Sequence, residues 1–600
     1  PPRSTLFPYT TLFRSKGNTY YVAVNGDDSS DGSFEKPFAT INHAAQILEA
    51  GDTCMIRGGV YRETVVPKYS GNEQNPIVFM AYPGEDVTVS GADEVTSEWE
   101  KEEGDIYKTT ISEPLSQLFV DGKMMNIARY PNAEVDKLFE RSAYDFLTEA
   151  DYTYALHEAF ADGDLNGASI CLWNGESWTS TTKKVTHAPK EKKILFDEAF
   201  QSRLNDGYHD YDAYKPKAGN RFFIYGKRDL LDYQNEWVQE NDSVYLWTNT
   251  NDSPKNHTVE VKKRIFAFDV TGKDHIQIKG LNIFAAAIRF IACTSCVIEN
   301  CRITYQSKGT SDNVHGLDYV NTTTLQGENN TIKDSLIAYS VGTGVHVVGK
   351  NAVVQNCVIH DSNLIGGASA SGITMLGTGM RILNNTIYNS SRDLIQFYNG
   401  RKFEISGNHL YNGGFLSKDL GAIYGWKVSG DGAVISYNYI HDMNGYTGIY
   451  LDNFCNGFKL HHNVIHRSIG IGIVLNSPSN NHTISNNTIF DAEKGSDTFS
   501  YPGYADSHQG VLWANNIVGA RLPSRYIMEA GKAPEFKNNL DVAMDEIDIK
   551  TFLPKRGLIL DKGMVIEGIN TPYIGAAPDI GAYELGRDVW SAGADWNPYE

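Results

Sequence analysis

Aromatic, carboxyl and amide side chains recur at matching places in four successive segments of the sequence. The segments read DLIQFYNG from Asp393, DLGAIYGW from Asp419, GIYLDNF from Gly448 and GIVLNSP from Gly472. Because alternate residues of a β-strand point to opposite faces, inward isoleucines would leave their polar and aromatic neighbours pointing outward. The outward set is then Tyr424, Trp426, Tyr450, Asp452 and Asn476. Such a row offers rings that can stack on sugar rings, and carboxyl groups that can bind hydroxyls or transfer protons.

A short phrase that recurs through the second half of the sequence predicts the strands that hold this row. The phrase is an apolar residue, two further residues, asparagine, one residue, usually isoleucine, and then an aromatic residue or histidine. Its asparagines are Asn385, Asn408, Asn438, Asn463, Asn487 and Asn515, and Cys301, Ser335 and Cys357 hold the same position in earlier copies. The copies are 22 to 34 residues apart, which is typical of a β-solenoid whose stacked asparagines satisfy backbone groups at each bend.

The fold predicted from these patterns is all-β, a right-handed parallel β-helix with an inserted antiparallel domain and an N-terminal capping helix. The five predicted parts are a non-native artefact (1–15), an N-terminal cap with the first coils (16–91), a β-sandwich-like insertion (92–267), the main β-helix (268–540) and a C-terminal closing segment (541–600). The opening PPRSTLFPYTTLFRS resembles translated sequencing-adapter read-through from assembled metagenomes. Thr40 and the INHAAQILEA that follows predict an N-capped helix over the open first coil. Within the insertion, residues 140–166 are expected to be partly helical.

Composition and charge argue against several classes of function. The net charge of −20 disfavours nucleic acid as a partner, because phosphate binding needs a basic face. No apolar run approaches the ~20 residues of a membrane span. Cys293 and Cys296 form a CxxC motif, but no second pair lies at zinc spacing, so we expect neither a metal nor another cofactor. The hydrophobic content of 41% and the charged content of 21% are typical of a folded, soluble chain, which we expect to be monomeric.

Three stretches of the sequence resemble β-helix glycoside hydrolases, and the likeness covers nearly the whole chain after Ser15. They are the opening YYVAVNGDDSSDGSFEKPFATINHAA with GDTCMIRGGVYRETV, the central LFVDGKMMNIARYPN and the closing PDIGAYE. The sequence is most similar to glycoside hydrolase family 141, which includes α-L-fucosidases and xylanases, and more distantly to the family 120 β-xylosidases. Most of these motifs are architectural, so the resemblance implies chemistry only by analogy. It implies a secreted or periplasmic bacterial glycosidase acting on a plant or host poly- or oligosaccharide.

The resemblance also implies two catalytic carboxyl groups. GIYLDN resembles the segment that carries the catalytic aspartate of β-helix glycosidases, here Asp452, and KDLGAIYGW resembles the other acidic segment of family 141, here Asp419. A straight strand would separate these two residues by roughly 20 Å. The pair therefore requires a bend between Asp419 and Ile423, which Gly421 permits. Asp393, in a matching SRDL phrase, is the reserve candidate.

Residues around the two carboxyl groups are expected to bind the substrate. The expected binding residues are Tyr424, Trp426, Tyr450, Tyr398, Asn476 and Asn453. The family 120 pattern has a glutamate one coil beyond the catalytic aspartate, whereas Asn476 and Ser477 stand there in this sequence. That departure argues against a family 120 mechanism. The outward side chains of stacked strands form a groove. Trp173 and Trp178 of the insertion could close one end of this groove or pack in the core.

Two other classes of function remain open from the sequence. The same fold hosts polysaccharide lyases, in which a lysine or arginine removes the proton next to a uronate carboxyl group. The basic residues that could do so are Lys418, Arg392, Arg401 and Lys402. No run of oxygen ligands for Ca²⁺ stands out. A non-catalytic carbohydrate-binding β-helix is the third class, and it differs from both enzymes in having no turnover to lose.

Overall fold

A computed structural model gives the fold of most of the chain. The described residues are 17–200, 213–248, 250–307, 321–367, 370–445, 447–490, 497–499, 507–519, 534–541, 547–548, 550–553, 555 and 557–599. The predicted artefact at residues 1–15 lies outside them. Among the described residues, no helix combines the length and the apolar character needed to cross a bilayer.

The main body is a coil with three parallel sheets, which we call sheets 1, 2 and 3. The described strands of sheet 1 are Thr19–Val22, Thr53–Ile56, Ile77–Ala81, Ile276–Lys279, Val297–Glu299, Thr331–Lys333, Val353–Gln355, Arg381–Leu383, Glu404–Ser406, Ser429–Ser436, Asn456–His461, Thr483–Ser485, Leu512–Ala514 and Glu535–Lys537. Those of sheet 2 are Gly59–Tyr61, Val87–Ser90, Asn282–Phe284, Arg302–Thr304, Leu336–Ser340, Val358–Ser362, Thr386–Ser390, His409–Gly413, Tyr439–His441, Val464–His466, Thr488–Phe490, Ile517–Val518 and Leu540–Asp541. Those of sheet 3 are Phe266–Asp269, Ala287–Thr294, Thr323–Glu328, Val345–Lys350, Ser371–Thr378, Asp393–Arg401, Gly421–Gly425, Thr447–Leu451, Ile471–Asn476 and Asp497–Phe499. The predicted β-helix is confirmed.

The interior of the coil is filled by columns of apolar side chains in register. In sheet 3 the column is Ile395, Ile423, Ile449 and Ile473, each paired with the next coil. All four are fully buried in one core that runs from the first coil to Trp513. Because strand residues alternate between faces, this column sends the residues on either side of each isoleucine to the outer face. The inward orientation predicted for these isoleucines is therefore correct.

The asparagines of the repeated phrase form a ladder at the bend between sheets 1 and 2. In each step the backbone N–H and the side-chain amide of one asparagine donate to the Oδ1 of the next, as from Asn438 to Asn463 at 3.1 and 2.9 Å. The ladder ends with Asn516 and Asn539, so the position predicted for Asn515 is wrong by one residue. Asn515 instead has a left-handed φ of 56° and donates to the Met564 carbonyl. The ladder gives each buried amide its partners, which is what burial of polar groups requires.

The N-terminal end of the coil is covered by a short helix, Ile41–Ile47. The Thr40 side chain accepts a hydrogen bond from the His43 N–H, as an N-cap does. Ile41 and Ala44 are buried against the first coil, so the predicted capping helix is confirmed.

The insertion between the early and later coils is almost entirely antiparallel. Its described strands form three sheets: Lys123–Met124, Leu118–Val120, Val259–Lys262 and Ala92–Glu94; then Asn126–Ile127, Glu236–Glu240, Ser243–Trp247, Ile106–Thr110 and Glu100–Glu103; then Arg129–Tyr130, Asp145–Phe146, Arg221–Tyr225, Ser169–Leu172, Thr181–Ala188, Lys193–Phe196, Tyr154–Leu156 and Glu149–Asp151. Residues 140–166, predicted to be partly helical, contain strands and two single 3-10 turns, Arg141–Ala143 and Glu158–Phe160. Burial alternates from residue to residue along Tyr154–Leu156, which is typical of a strand and not of a helix.

The C-terminal segment does more than close the last coil. Ile580 and Ala582 pack on Ile517 at the end of the coil. The chain then runs back along sheet 2, where the Gly593 N–H donates to the Gly407 carbonyl at 2.8 Å. Further along, the Trp596 Nε1–H donates to the Asn356 carbonyl at 2.7 Å. This segment therefore ties several coils together from outside.

Candidate active site

The outward row of sheet 3 lies where the alternation places it, but its aromatic residues are more enclosed than a sugar-stacking surface would be. Tyr424 pairs in register with Tyr450, and Tyr450 pairs with Val474 of the next coil. The two tyrosine rings pack edge to face at 5.3 Å. Only about 5% of each residue is exposed. Their hydroxyl groups, rather than their ring faces, are directed to the carboxyl groups described next.

Asp452 is held by three hydrogen-bond donors at the end of its strand. It directly follows Thr447–Leu451, and its backbone N–H donates to the Gly425 carbonyl at 2.8 Å. Its carboxylate accepts hydrogen bonds from the Tyr424 hydroxyl at 2.8 Å, the Asn476 amide at 2.7 Å and the Asn453 backbone N–H at 2.7 Å. These donors fix the orientation of the carboxylate and offset its negative charge.

Asp419 reaches the same cluster because it lies in a turn and not in a strand. Its backbone has a left-handed φ of 57°, and the strand Gly421–Gly425 begins only two residues later. The turn brings its Oδ1 within 3.2 Å of the Tyr450 hydroxyl, which donates to it. The straight-strand separation of roughly 20 Å therefore does not apply to this pair.

Tyr450 and Asn476 link the two carboxyl groups. The Asn476 amide donates both to the Tyr450 hydroxyl, at 3.2 Å, and to Asp452. These contacts in series limit the separation of Asp419 Oδ1 and Asp452 Oδ1 to about 9 Å. The Asn476 Oδ1 is buried and has no hydrogen-bond partner among the described residues.

The electrostatic environment favours a protonated Asp419. Burial, and then the negative charge of Asp452, raise the pKa of Asp419 to about 7, while Arg392 opposes the shift. A carboxylic acid that holds its proton near neutral pH can donate it to a leaving group. The cluster thus combines one carboxyl group suited to be an acid with a second that is surrounded by donors.

Asp393, the reserve candidate, lies inside the protein and not on the groove. It is fully buried, it pairs with the Arg392 guanidinium, and it accepts the Gly421 N–H at 3.0 Å. Burial raises the pKa of Asp393 to about 6 against the opposing charge of Arg392. Arg392 also donates to the Asp419 carbonyl at 2.6 Å and lies 4.9 Å from the centre of the Tyr424 ring. Asp393 and Arg392 therefore hold the turn that carries Asp419.

Replacing Arg392 by methionine is expected to destabilise the protein by about 3–5 kcal/mol, because Asp393 would stay buried without its charged partner. Urea unfolding measures the loss. The double change Arg392→Met with Asp393→Asn removes both charges and should recover part of it. Lys402→Met breaks the exposed pair with Asp431 and is the matched control, with little change expected. Equal losses for Arg392→Met and Lys402→Met would contradict this account.

The remaining binding candidates are more accessible than the tyrosine pair. Trp426 is 36% exposed, and the Lys427 ammonium lies 4.2 Å from its ring centre. Tyr398 and Asn453 are half-buried, and the Asn453 amide donates to the Ser477 carbonyl. Trp426 and Tyr398 are thus the more exposed rings of the predicted set.

Sequence reasoning missed two contributors to the site. Arg392 is predicted only as a candidate base of a lyase, although its place directly before Asp393 in SRDL is a signal for an ion pair. Ser177 of the insertion is the second, because its carbonyl accepts the Lys418 N–H at 2.9 Å, one residue before Asp419. No local pattern could show that contact, since it joins segments far apart in the sequence.

The cysteines lie apart from this cluster. Cys293 and Cys296 are buried, and their thiols donate to the backbone carbonyls of Val270 and Lys273. In the described part of the chain, no group of three or more histidine, cysteine, aspartate or glutamate residues is arranged to hold a metal ion.

Comparisons with known proteins agree with the fold. A family model described as "Pel9A-like, right handed beta helix region" matches residues 20–124. A second, described as "Right handed beta helix region", matches residues 313–425 and 343–508. A solved structure named "Glycoside hydrolase" covers 75% of this chain and 94% of its own, with a TM-score of 0.59 and 14% sequence identity. At that identity the likeness concerns the fold alone.

Two curated relatives match short stretches of the chain. The uncharacterized protein YwoF of Bacillus subtilis (strain 168) is 44% identical over 84 residues, 14% of this chain and 18% of that protein. Pectate lyase PEL9 of Emericella nidulans is 36% identical over 73 residues, 12% of this chain and 18% of that enzyme. The match thus spans less than a fifth of either relative. Together the comparisons give this protein a β-helix fold shared with carbohydrate-active enzymes, both hydrolases and lyases.

Proposed function

We propose that this protein is a glycoside hydrolase in which Asp419 is the general acid and Asp452 is the base or nucleophile. The observation that supports this best is the single cluster of two carboxyl groups, linked through Tyr450 and Asn476, on the outer face of sheet 3. Hydrolysis of a glycosidic bond generally needs one carboxyl group on each side of the scissile bond. Asp393 is assigned a structural role because it is fully buried and paired with Arg392.

The two carboxyl groups differ in the way the reaction needs. Asp419, whose pKa is raised to about 7, would protonate the leaving oxygen as the glycosidic bond breaks. Asp452 would either activate a water molecule or attack the sugar directly. A separation of ~5 Å corresponds to attack with retention, and ~6.5–9.5 Å to a water molecule with inversion.

The proposed substrate class is supported by the more exposed aromatic rings and by the sequence resemblance. Trp426 and Tyr398 offer faces on which a sugar ring can stack. The likeness to family 141 points to an α-L-fucosidase- or xylanase-like activity on a plant or host polysaccharide. Asn476 in place of a glutamate one coil beyond Asp452 argues against the family 120 arrangement. A secreted or periplasmic monomer fits this role.

A polysaccharide lyase is the second candidate, because the family model matching residues 20–124 is Pel9A-like and one relative, matched over a short stretch, is a pectate lyase. The basic residue best placed for it is Lys418, which is exposed and adjoins Asp419. Arg392 is too deeply buried to serve. In this alternative Lys418 would remove the proton next to a uronate carboxyl group.

Incubation of the protein with xylan, fucosylated oligosaccharides and pectins separates the two candidates. Reducing-sugar release and the ultraviolet absorbance of unsaturated uronates are followed together. We expect release of neutral sugar without new absorbance, since hydrolysis creates no double bond. New absorbance that is lost in Lys418→Ala would establish the lyase instead. No product from any of these glycans would contradict the proposed hydrolase.

A further inference from the structure

A loop of the insertion, residues 173–180, lies directly against the turn that carries Asp419. The Ser177 carbonyl accepts the Lys418 N–H at 2.9 Å, and the Ser180 N–H donates to the Gly366 carbonyl at 3.2 Å. The Ser417 hydroxyl donates to the same Gly366 carbonyl at 3.1 Å. These hydrogen bonds hold the loop against the turn that carries Asp419.

The conformation of this loop is firmly set. Gly175 has a left-handed φ of 57°, and a Cβ added there would lie only 1.8 Å from the Ala213 carbonyl oxygen. The Glu176 N–H donates to that carbonyl at 2.8 Å, and the Glu176 carboxylate pairs with Lys217 at 2.6 Å. A side chain on this loop is thus presented in a defined position.

Two tryptophans of the loop region have different surroundings. Trp173 is fully buried and packs edge to face on Tyr144 at 5.0 Å, so it belongs to the core. Trp178, which directly follows Ser177, is half-buried and packs edge to face on Tyr214 at 5.7 Å. The Tyr214 carbonyl in turn accepts the Asn174 amide at 2.6 Å.

The hydrogen bond between Ser177 and Lys418 sets an upper limit on the distance between the Cα atoms of Trp178 and Asp419. Each of these residues is one peptide unit beyond the hydrogen-bonded pair, so their Cα atoms are at most about 13 Å apart. One sugar ring can contact two side chains whose Cα atoms lie within such a distance. Trp178 lies on the side of Asp419 and on the insertion, whereas Trp426 lies at the far end of the strand Gly421–Gly425.

We propose that Trp178, supported by Tyr214, binds the leaving-group sugar next to Asp419. The inference rests on the proposed function, because the general acid of a glycosidase contacts the oxygen of the leaving group. A ring beside that acid meets the sugar that departs and not the sugar that is attacked. The insertion would then select oligosaccharide substrates, since binding energy from the leaving-group sugar lowers the barrier only when that sugar is present.

Pairs of substrates with the same cleaved sugar test this assignment. The pairs are xylotetraose with xylosyl fluoride, and 2′-fucosyllactose with fucosyl fluoride, since fluoride leaves the leaving-group position empty. We expect Trp178→Ala to lower kcat/KM for the oligosaccharide at least about tenfold and to leave the fluoride within about threefold. Trp178→Phe, which keeps a ring, should recover much of the loss.

The control is Tyr154→Ala, which removes a half-buried ring elsewhere in the insertion, 4.5 Å from the Lys193 ammonium. It should leave both substrates unchanged, and thermal unfolding checks that all variants fold. An unchanged or equal loss on both substrates in Trp178→Ala would overturn the binding role while leaving the hydrolase intact. A wild-type protein that cleaves neither the oligosaccharides nor the fluorides would overturn both proposals.

Discussion

Asp452→Asn is expected to lower kcat by about 10³-fold or more on any substrate that the wild-type protein hydrolyses. The amide keeps the shape of the carboxylate but can neither accept a proton nor attack a sugar. In the wild-type protein the Tyr424 hydroxyl and the Asn476 amide donate to the Asp452 carboxylate. The N–H₂ group of the variant is itself a donor, so it cannot accept these hydrogen bonds. The measurement is the steady-state rate of sugar release, with thermal unfolding to confirm the fold.

Asp431→Asn is the matched control for this change. Asp431 is exposed and pairs with Lys402 at 3.3 Å, outside the carboxyl cluster, so its rate should stay within about twofold of wild type. Retention of more than a tenth of the activity in Asp452→Asn would remove Asp452 from the reaction. Complete loss in both variants would show that the effect is not specific to the cluster.

Asp419→Asn is expected to lower kcat/KM by about 10²–10⁴-fold for oligosaccharides but less than about tenfold for glycosyl fluorides. An oligosaccharide leaving group needs a proton as the bond breaks, whereas fluoride departs without one. The ratio of the two losses therefore reports acid catalysis and not general damage to the site. Equal losses on both substrates would contradict the role of acid.

The same residue should set the alkaline side of the pH profile. A general acid must be protonated to act, and the pKa of Asp419 is raised to about 7 by burial and by the charge of Asp452. The kcat/KM for oligosaccharides should therefore be highest below pH 7 and fall about tenfold per pH unit above it. The kcat/KM for the fluoride substrate, measured over the same pH range, should not show this decrease above pH 7. A flat profile between pH 6 and 9 for both substrates would refute the assignment.

The repeated fold could be predicted because its determinants are local. Every coil needs an apolar residue at each inward position and a small polar side chain at the bend, so the pattern recurs along the chain. The column of Ile395, Ile423, Ile449 and Ile473 and the ladder that starts at Asn385 follow directly from this. The single error of the ladder, Asn515 for Asn516, came from two consecutive asparagines, between which only strand register decides.

The sequence also predicts which side chains of the row on sheet 3 point outward. It does not predict which contacts those side chains make. Alternation places Tyr424 and Tyr450 outward, and it cannot show that their hydroxyl groups turn to Asp452 and Asp419. Side-chain torsions decide that, and they depend on neighbours in adjacent coils. The rings are consequently enclosed, and Trp426 is the more accessible aromatic surface.

What the sequence by itself determined is therefore the coil, its inward and outward residues, and the two carboxyl groups worth testing. Only the tertiary structure decided that Asp419 and Asp452 belong to one hydrogen-bonded cluster. The left-handed turn at Asp419 is held by Arg392 from the preceding coil and by Ser177 from the insertion. Such contacts join residues that are remote in sequence, so their effect on a turn of two or three residues leaves no trace in any local pattern. A periodic signal specifies repeated strands, whereas a site depends on a few long-range contacts that occur once.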